Sequence, residues 1–261
     1  MKKFLCPVDF TEVAFHGIEY AARVASFVGA SVTLCHVQPT IWPEAVFLEG
    51  EVEESEHAIL EKLNAISQET AQSFGIPCTF MMNRTTDTVE GSIAGLSGAF
   101  DLVVMGTNGT EDFFEFIFGS HSFNVSRLAQ CPVLVVPENC TQTLPGWMIY
   151  LHKERTNPQL DFLVPVWWAQ LLGAHFGIWI EPSGDPVQDE HRRQELQTHV
   201  QGDRQDGLVE AVRIHADPSP AHPLPGHMFA LALNHRSVTG RKHLRRTVNT
   251  CADPLLVFEV P

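Results

Sequence analysis

Three glycines and a serine carry the chemistry this sequence offers. Gly106, Gly109 and Gly119-Ser120 stand in the run MGTNGTEDFFEFIFGSHS, spaced Gly, two residues, Gly, nine residues, Gly. Glycine has no Cβ, so the backbone N–H groups around it can approach a phosphate closely. A helix beginning at Gly119-Ser120 would turn its free N–H groups and its positive dipole end on that phosphate. The hydroxyls of Ser120 and Ser122 would add two donors. The spacing predicts a phosphate loop; it also fits a glycine-turned loop before a serine-capped helix.

The flanking elements decide where such a loop would sit. Residues 101–105, DLVVM, form a short apolar run that reads as a buried parallel strand. After the loop, Phe123, Val125 and Leu128 begin a helical stripe that ends at Gln130. The same alternation fills the first half. Residues 3–8 read as a strand ending in Asp9, and Thr11 is placed to cap a helix carrying Ala14, Ile18, Ala21, Ala22, Ala25 and Val28 until Gly29 stops it. Residues 31–37 make a second strand, closed by Pro39. Residues 53–74 make a longer helix, broken by Gly75-Ile76-Pro77. Residues 78–82 are a third strand, 88–96 a short helix, and 133–136 a last strand between Pro132 and Pro137. Strands alternating with helices predict an α/β fold, an open, doubly wound, parallel five-stranded sheet. Such sheets bind ligands beyond the carboxyl ends of their strands, where strand order reverses. Asp9, Val37 and Met105-Gly106 all fall at such ends.

Composition narrows the partners. The chain of 261 residues carries a formal charge of −14, and residues 1–140 hold most of it, with 6 Lys/Arg against 18 Asp/Glu. A field this acidic disfavours nucleic acid and anionic membrane surfaces. The acidic run at 49–56, EGEVEESE, reads as a solvated face. The start MKKFLCPVDF has no leader pattern and no run spans a bilayer, so a cytoplasmic location is expected. Cys6, Cys35, Cys78, Cys131, Cys140 and Cys251 form no CxxC pair, which reads as reduced, buried thiols with no zinc site or disulfide framework. The 13 histidines show no metal-ligand spacing.

The chain resembles the universal stress protein family. Three features carry the resemblance: PVDFT at 7–11, the Gly106, Gly109, Gly119-Ser120 pattern, and CPVLVVP at 131–137. The resemblance implies a Rossmann-like domain over residues 1–140 that holds ATP. It would place Asp9 near adenine and ribose, Val37 against the base, and Met105 at the strand end beside it. Gly106 and Gly109 would wrap the ribose and α-phosphate, and Gly119, Ser120 and Ser122 the distal phosphates. The loop between Gly109 and Gly119 departs from the usual basic, small character. Glu111, Asp112 and Glu115 would repel a triphosphate by about 1 kcal/mol per close pair in water, bind it through Mg²⁺, or point away. The four phenylalanines of that loop call for a packing surface. No motif supplies a catalytic base, so at most slow hydrolysis is expected. The alternative is a scaffold of the same fold that works by protein–protein contact.

Residues 141–261 read as a shortened tandem copy lacking the loop. Residues 147–151 resemble the first strand, 160–172 a helix interrupted at Pro165, 176–182 the second strand, 229–233 the fourth and 253–257 the last. This half has no acid at the place of Asp9. Pairing of 133–136 with 255–260 would cover both edges and make a pseudo-dimer within one chain; a homodimer stays open beside it. Arg236, Arg241, Lys242, Arg245 and Arg246 form the basic cluster, a solvated face or a dock for an acidic surface.

Overall fold

The computed structural model describes residues 1–40, 49–107, 120–141, 144–152, 163–180, 183–202, 209–214, 227–233 and 253–259. The chain divides into two compact units; among the described residues the first runs to Glu138 and the second begins at Asn139.

In the first unit the elements follow in the order β1 (Lys3–Pro7), α1 (Glu12–Val28), β2 (Ser31–Pro39), α2 (Glu49–Phe74), β3 (Cys78–Thr85), α3 (Val89–Ser97), β4 (Leu102–Thr107), α4 (Ser120–Leu128) and β5 (Val133–Pro137). The strands lie side by side as β3-β2-β1-β4-β5, all parallel. The register sets Pro7 beside Cys35, Leu5 beside Val103, and Gly106 beside Val136. Strand order therefore reverses between β1 and β4, and the carboxyl ends of β1, β2 and β4 meet there.

The sheet is covered on both faces, as a parallel sheet must be. Leu5, Cys35, Val37, Val103, Met105, Val133 and Val135 pack with Ile93 of α3, with Val125 of α4 and with Ala129 just after it. Residues of the opposite parity, Phe4, Cys6, Leu34, Val104 and Leu134, are buried too, and alternation turns them to the other face. There α1 lies against β1, β4 and β5, with small residues Ala14, Gly17, Ala21, Ala22 and Ala25 on its buried side. Each fully buried Leu, Val or Phe contributes about 1.5–3 kcal/mol.

Local signals fix the helix ends. Thr11 caps α1 through its hydroxyl, which accepts from Ala14 N–H at 3.2 Å. Gly29 closes the helix at φ +67°, a left-handed turn that glycine adopts without strain. Thr88 caps α3 by accepting from Gly91 N–H at 3.0 Å. Two helices depart from the sequence expectation. α2 begins at Glu49, earlier than the apolar stripe. α4 buries Ser122, Val125 and Ser126, and Leu128 is 55% exposed; its position on the helical wheel falls outside the face that meets the sheet.

In the second unit β6 (Trp147–His152), α5 (Leu163–Leu172), β7 (His175–Ile180), α6 (Pro186–Gly202), β8 (Val209–Ile214), β9 (His227–Leu233) and β10 (Leu255–Glu259) follow in order. The strands lie as β8-β7-β6-β9-β10, again parallel. Pro165 does not interrupt α5. It sits in the first turn, where its missing N–H has no intrahelical partner to lose. The helix α6 and the strand β8 carry too weak an apolar period to be legible beforehand. α6 is instead held at its start by Asp185, whose Oδ1 accepts from Val187 N–H at 2.9 Å, with Pro186 as first residue. The basic cluster of 236–246 lies outside the described residues.

Cys6, Cys35 and Cys140 are buried thiols, and Cys78 and Cys131 are half-buried; Cys251 lies outside the described residues. Burial pushes the Cys35 and Cys131 thiols up to about 12, and that of Cys6 further still, so all three stay protonated and unreactive at neutral pH. Among the described residues no helix is long and apolar enough to cross a membrane.

Replacing Thr88 by Ala removes the cap of α3 and is expected to cost about 1 kcal/mol. Urea unfolding should show a lower midpoint at unchanged slope.

Candidate functional site

The carboxyl edge at the β1/β4 reversal gathers four of the residues singled out from sequence, Asp9, Val37, Met105 and Gly106. β1 ends in a tight turn over Asp9, Phe10 and Thr11. Asp9 is exposed, and its Oδ1 accepts from Thr11 N–H at 3.0 Å and from the Thr11 hydroxyl at 2.6 Å. Both bonds fall on Oδ1, which leaves Oδ2 for a hydroxyl or amine of a ligand. Phe10 holds φ at +64°, the left-handed region that a bulky residue enters at a cost of about 1–3 kcal/mol. Its ring is kept there by the His36 ring, 5.0 Å away, and by Lys62 Nζ, 5.7 Å from its centroid. His36 in turn donates from Nδ1 to the Val8 carbonyl at 2.8 Å. The turn is thus strained locally and braced from β2 and α2.

Val37 and Met105 lie at the ends of β2 and β4, but each is only 9% exposed and belongs to the apolar cluster under α3 and α4. They form a floor more than a wall. Gly106 follows Met105, and the structure gives it a reason to be glycine that the phosphate pattern does not supply. A Cβ on Gly106 would stand 2.0 Å from the Val13 carbonyl oxygen of α1, and a Cβ on Gly17 would stand 2.7 Å from Gly106 N. The first turns of α1 therefore rest on the backbone of β4 with no side chain between them. Gly17 was the missed signal: a glycine inside an apolar helical pattern marks a close backbone approach.

Gly109 and Gly119 lie outside the described residues, as do the acids Glu111, Asp112 and Glu115. α4 begins at Ser120. Ser122 is 3% exposed, and its carbonyl accepts from the Ser126 hydroxyl at 2.8 Å; its side chain is packed inward rather than offered to solvent. Among the described residues no group of three or more His, Cys, Asp or Glu side chains could hold a metal ion.

A polar cluster that sequence reasoning did not name joins the starts of α3 and α4. His121 Nδ1 lies 2.8 Å from Glu90 Oε1, the His121 side chain 64% exposed and that of Glu90 15%. Burial works to raise the Glu90 carboxyl. Hydrogen bonding to its own backbone, the charge and hydrogen bond of His121 and a hydrogen bond from Asn124 outweigh it, and hold the group below its ordinary 4.5.

Three variants test these contacts. Gly106→Ala should destabilise the protein by about 3 kcal/mol, the upper end for overpacking, because the obstacle is backbone. Gly95→Ala in α3, where nothing lies within 4 Å, should stabilise by about 0.5–1 kcal/mol; urea unfolding of the pair checks both. For Glu90, the depressed value means that its ionised form stabilises the fold above pH 4.5. The contribution disappears as pH falls through the lower, folded value. Glu90→Gln should accordingly be less stable than the parent at pH 7, and the difference should close as the pH falls below the ordinary carboxylate range.

Residues 1–137 match the Universal stress protein family. A universal stress protein from Mycolicibacterium smegmatis is 28% identical over 139 residues, which cover 51% of this chain and 47% of that relative, so the match spans about half its length. A universal stress protein from Archaeoglobus fulgidus shares the fold at TM-score 0.76 and 16% identity, over 98% of each chain. A universal stress protein solved in complex with cAMP aligns over 52% of this chain and 96% of its own, at 16% identity and TM-score 0.42. With more than half of its length matched to the family, this chain belongs to the universal stress protein family.

Proposed function

We propose that the first unit binds an adenine nucleotide, ATP foremost, and that the protein is a regulatory component of a stress response rather than a rapid enzyme. The observation that carries this reading is convergence at the β1/β4 switch point. Asp9 Oδ2 is available there, and Val37 and Met105 floor the edge. Gly106 stands in β4, ahead of Gly109 and Gly119 in the sequence, and α4 starts at Ser120. In this reading Asp9 receives the ribose or base, the Gly106–Gly109 backbone the α-phosphate, and the N–H groups at Gly119-Ser120 the distal phosphates. Because Ser122 is packed inward, its backbone N–H and not its hydroxyl is the donor it contributes. Mg²⁺, if carried in with the triphosphate, would be met by Glu111, Asp112 or Glu115. A cytoplasmic location belongs to the same reading.

The second unit is, in this reading, a shortened copy of the first. Its strand order β8-β7-β6-β9-β10 is that of β3-β2-β1-β4-β5, and its sequence lacks the glycine spacing, so one nucleotide per chain is expected. A second reading, a scaffold acting by surface contact, is favoured by the deep burial of Val37, Met105 and Ser122.

Calorimetric titration with ATP, with and without Mg²⁺, separates the two. Saturation near one per chain, weakened at least tenfold in Gly119→Val with the fold intact by circular dichroism, supports nucleotide binding. No heat at millimolar ATP supports the scaffold.

A further inference from the structure

We propose that His121 is a phosphoryl-acceptor site, with Nε2 as the nucleophile and Glu90 as the residue that positions the ring and offsets its charge. The argument starts from the ring's two nitrogens. Nδ1 faces Glu90 Oε1 at 2.8 Å, so the proton sits on Nδ1 and the lone pair of the neutral ring is on Nε2. The ring is 64% exposed while its partner carboxylate is 15% exposed, so Nε2 is the end that solvent reaches and Glu90 is the end that is fixed. Glu90 is itself tied to its own backbone and to Asn124, and it stands in the first turn of α3, behind the Thr88 cap.

Two other histidines show what this arrangement adds. His57 meets Glu61 through Nε2 at 3.2 Å, with both side chains more than 70% exposed; its nucleophilic nitrogen is the one engaged. His191 meets Glu195 through Nδ1 at 3.8 Å, with both partners again mostly exposed. Such pairs hold no ring in place. His121 alone of the three combines a free Nε2 with an anchored carboxylate behind Nδ1.

The chemistry balances without a prior proton transfer. The Nε2 lone pair forms a bond to phosphorus, the bond from phosphorus to its leaving group breaks, and the electron pair departs with that group. Nδ1 keeps its proton. The ring becomes cationic as the N–P bond forms, and the Glu90 carboxylate faces that new charge, the role a carboxylate plays behind a histidine elsewhere in catalysis. The donor is either the γ-phosphoryl of a nucleotide bound in the first unit, leaving ADP, or a small N–P donor from solution, leaving an amine. The nucleotide arm rests on the proposed ATP site; the acceptor site does not, since Glu90, His121 and Asn124 are all described.

The test treats the full chain separately with phosphoramidate and with γ-labelled ATP, then maps acid-labile, alkali-stable phosphate by mass spectrometry. Phosphoramidate should label His121 at least tenfold faster than His57 or His191 in the same molecule, a comparison that needs no variant. Glu90→Gln should slow His121 labelling at least tenfold and leave His57 unchanged; Asn124→Ala serves if that variant does not fold. Labelling from ATP as well identifies the bound nucleotide as donor. Labelling from phosphoramidate alone identifies a solution donor, and the titration above then judges the nucleotide reading by itself. Labelling of His121 no faster than His57, or unaffected by both variants, overturns the proposal.

Discussion

The carboxyl edge of the first sheet depends on one backbone contact, α1 laid directly on the end of β4. Gly17 and Gly106 face each other there, and either would need its neighbour to move before accepting a methyl group. Close-packed interiors do not yield to such changes cheaply. The contact sets the height of α1 over the sheet, and the small residues Ala14, Ala21, Ala22 and Ala25 continue the same close approach along its length. Once α1 is fixed, its cap at Thr11 is fixed, and the Asp9-Phe10-Thr11 turn must fit the short gap left between strand and helix. The left-handed Phe10 is the consequence, with His36 and Lys62 bracing its ring. Strain at a strand end is affordable where surrounding structure over-determines it.

The opposite face solves a different problem. α3 and α4 start close together, each with unpaired N–H groups at its first turn. Thr88 answers for α3. Glu90 adds a carboxylate that the positive end of a helix favours, and its bonds to His121 and Asn124 join the two helix starts. Deeper in, Ser97 repeats the device: its hydroxyl donates to the Ala94 carbonyl and accepts from Gln130 N–H at 2.8 Å. The apolar cluster beneath is thereby roofed by helices held at both ends by polar bonds.

The first unit was legible from sequence because its signals agree across levels. Thr11, Gly29, Thr88 and the proline-bounded 133–136 run each mark an element end, and the structure places the ends within a few residues of them. What failed did so for physical reasons. Leu128 belongs to a helix whose buried face is set by Ser122, Val125 and Ser126, a partly polar stripe that an apolar count misses. Pro165 looks like a break in the sequence, yet it stands in the first turn of the helix Leu163–Leu172. α6 buries Leu196 and little else of its charged length, so its sequence carries no period to read.

The sequence by itself determined the strand and helix order of the first unit and the glycine spacing, because caps, turns and alternation act within a few residues of each other. It also set four candidate residues, Asp9, Val37, Met105 and Gly106, at strand ends, since the end of a strand is a local property. Only the tertiary structure decided what those residues are free to do. It gave Gly106 a packing requirement of its own, sank Val37, Met105 and Ser122 into the core, and left Asp9 exposed with one carboxylate oxygen in use. It also brought Glu90 to His121, 31 residues apart in the chain. Burial and the sharing of donors depend on residues distant in sequence, and no local pattern encodes which side of a helix will find its partner.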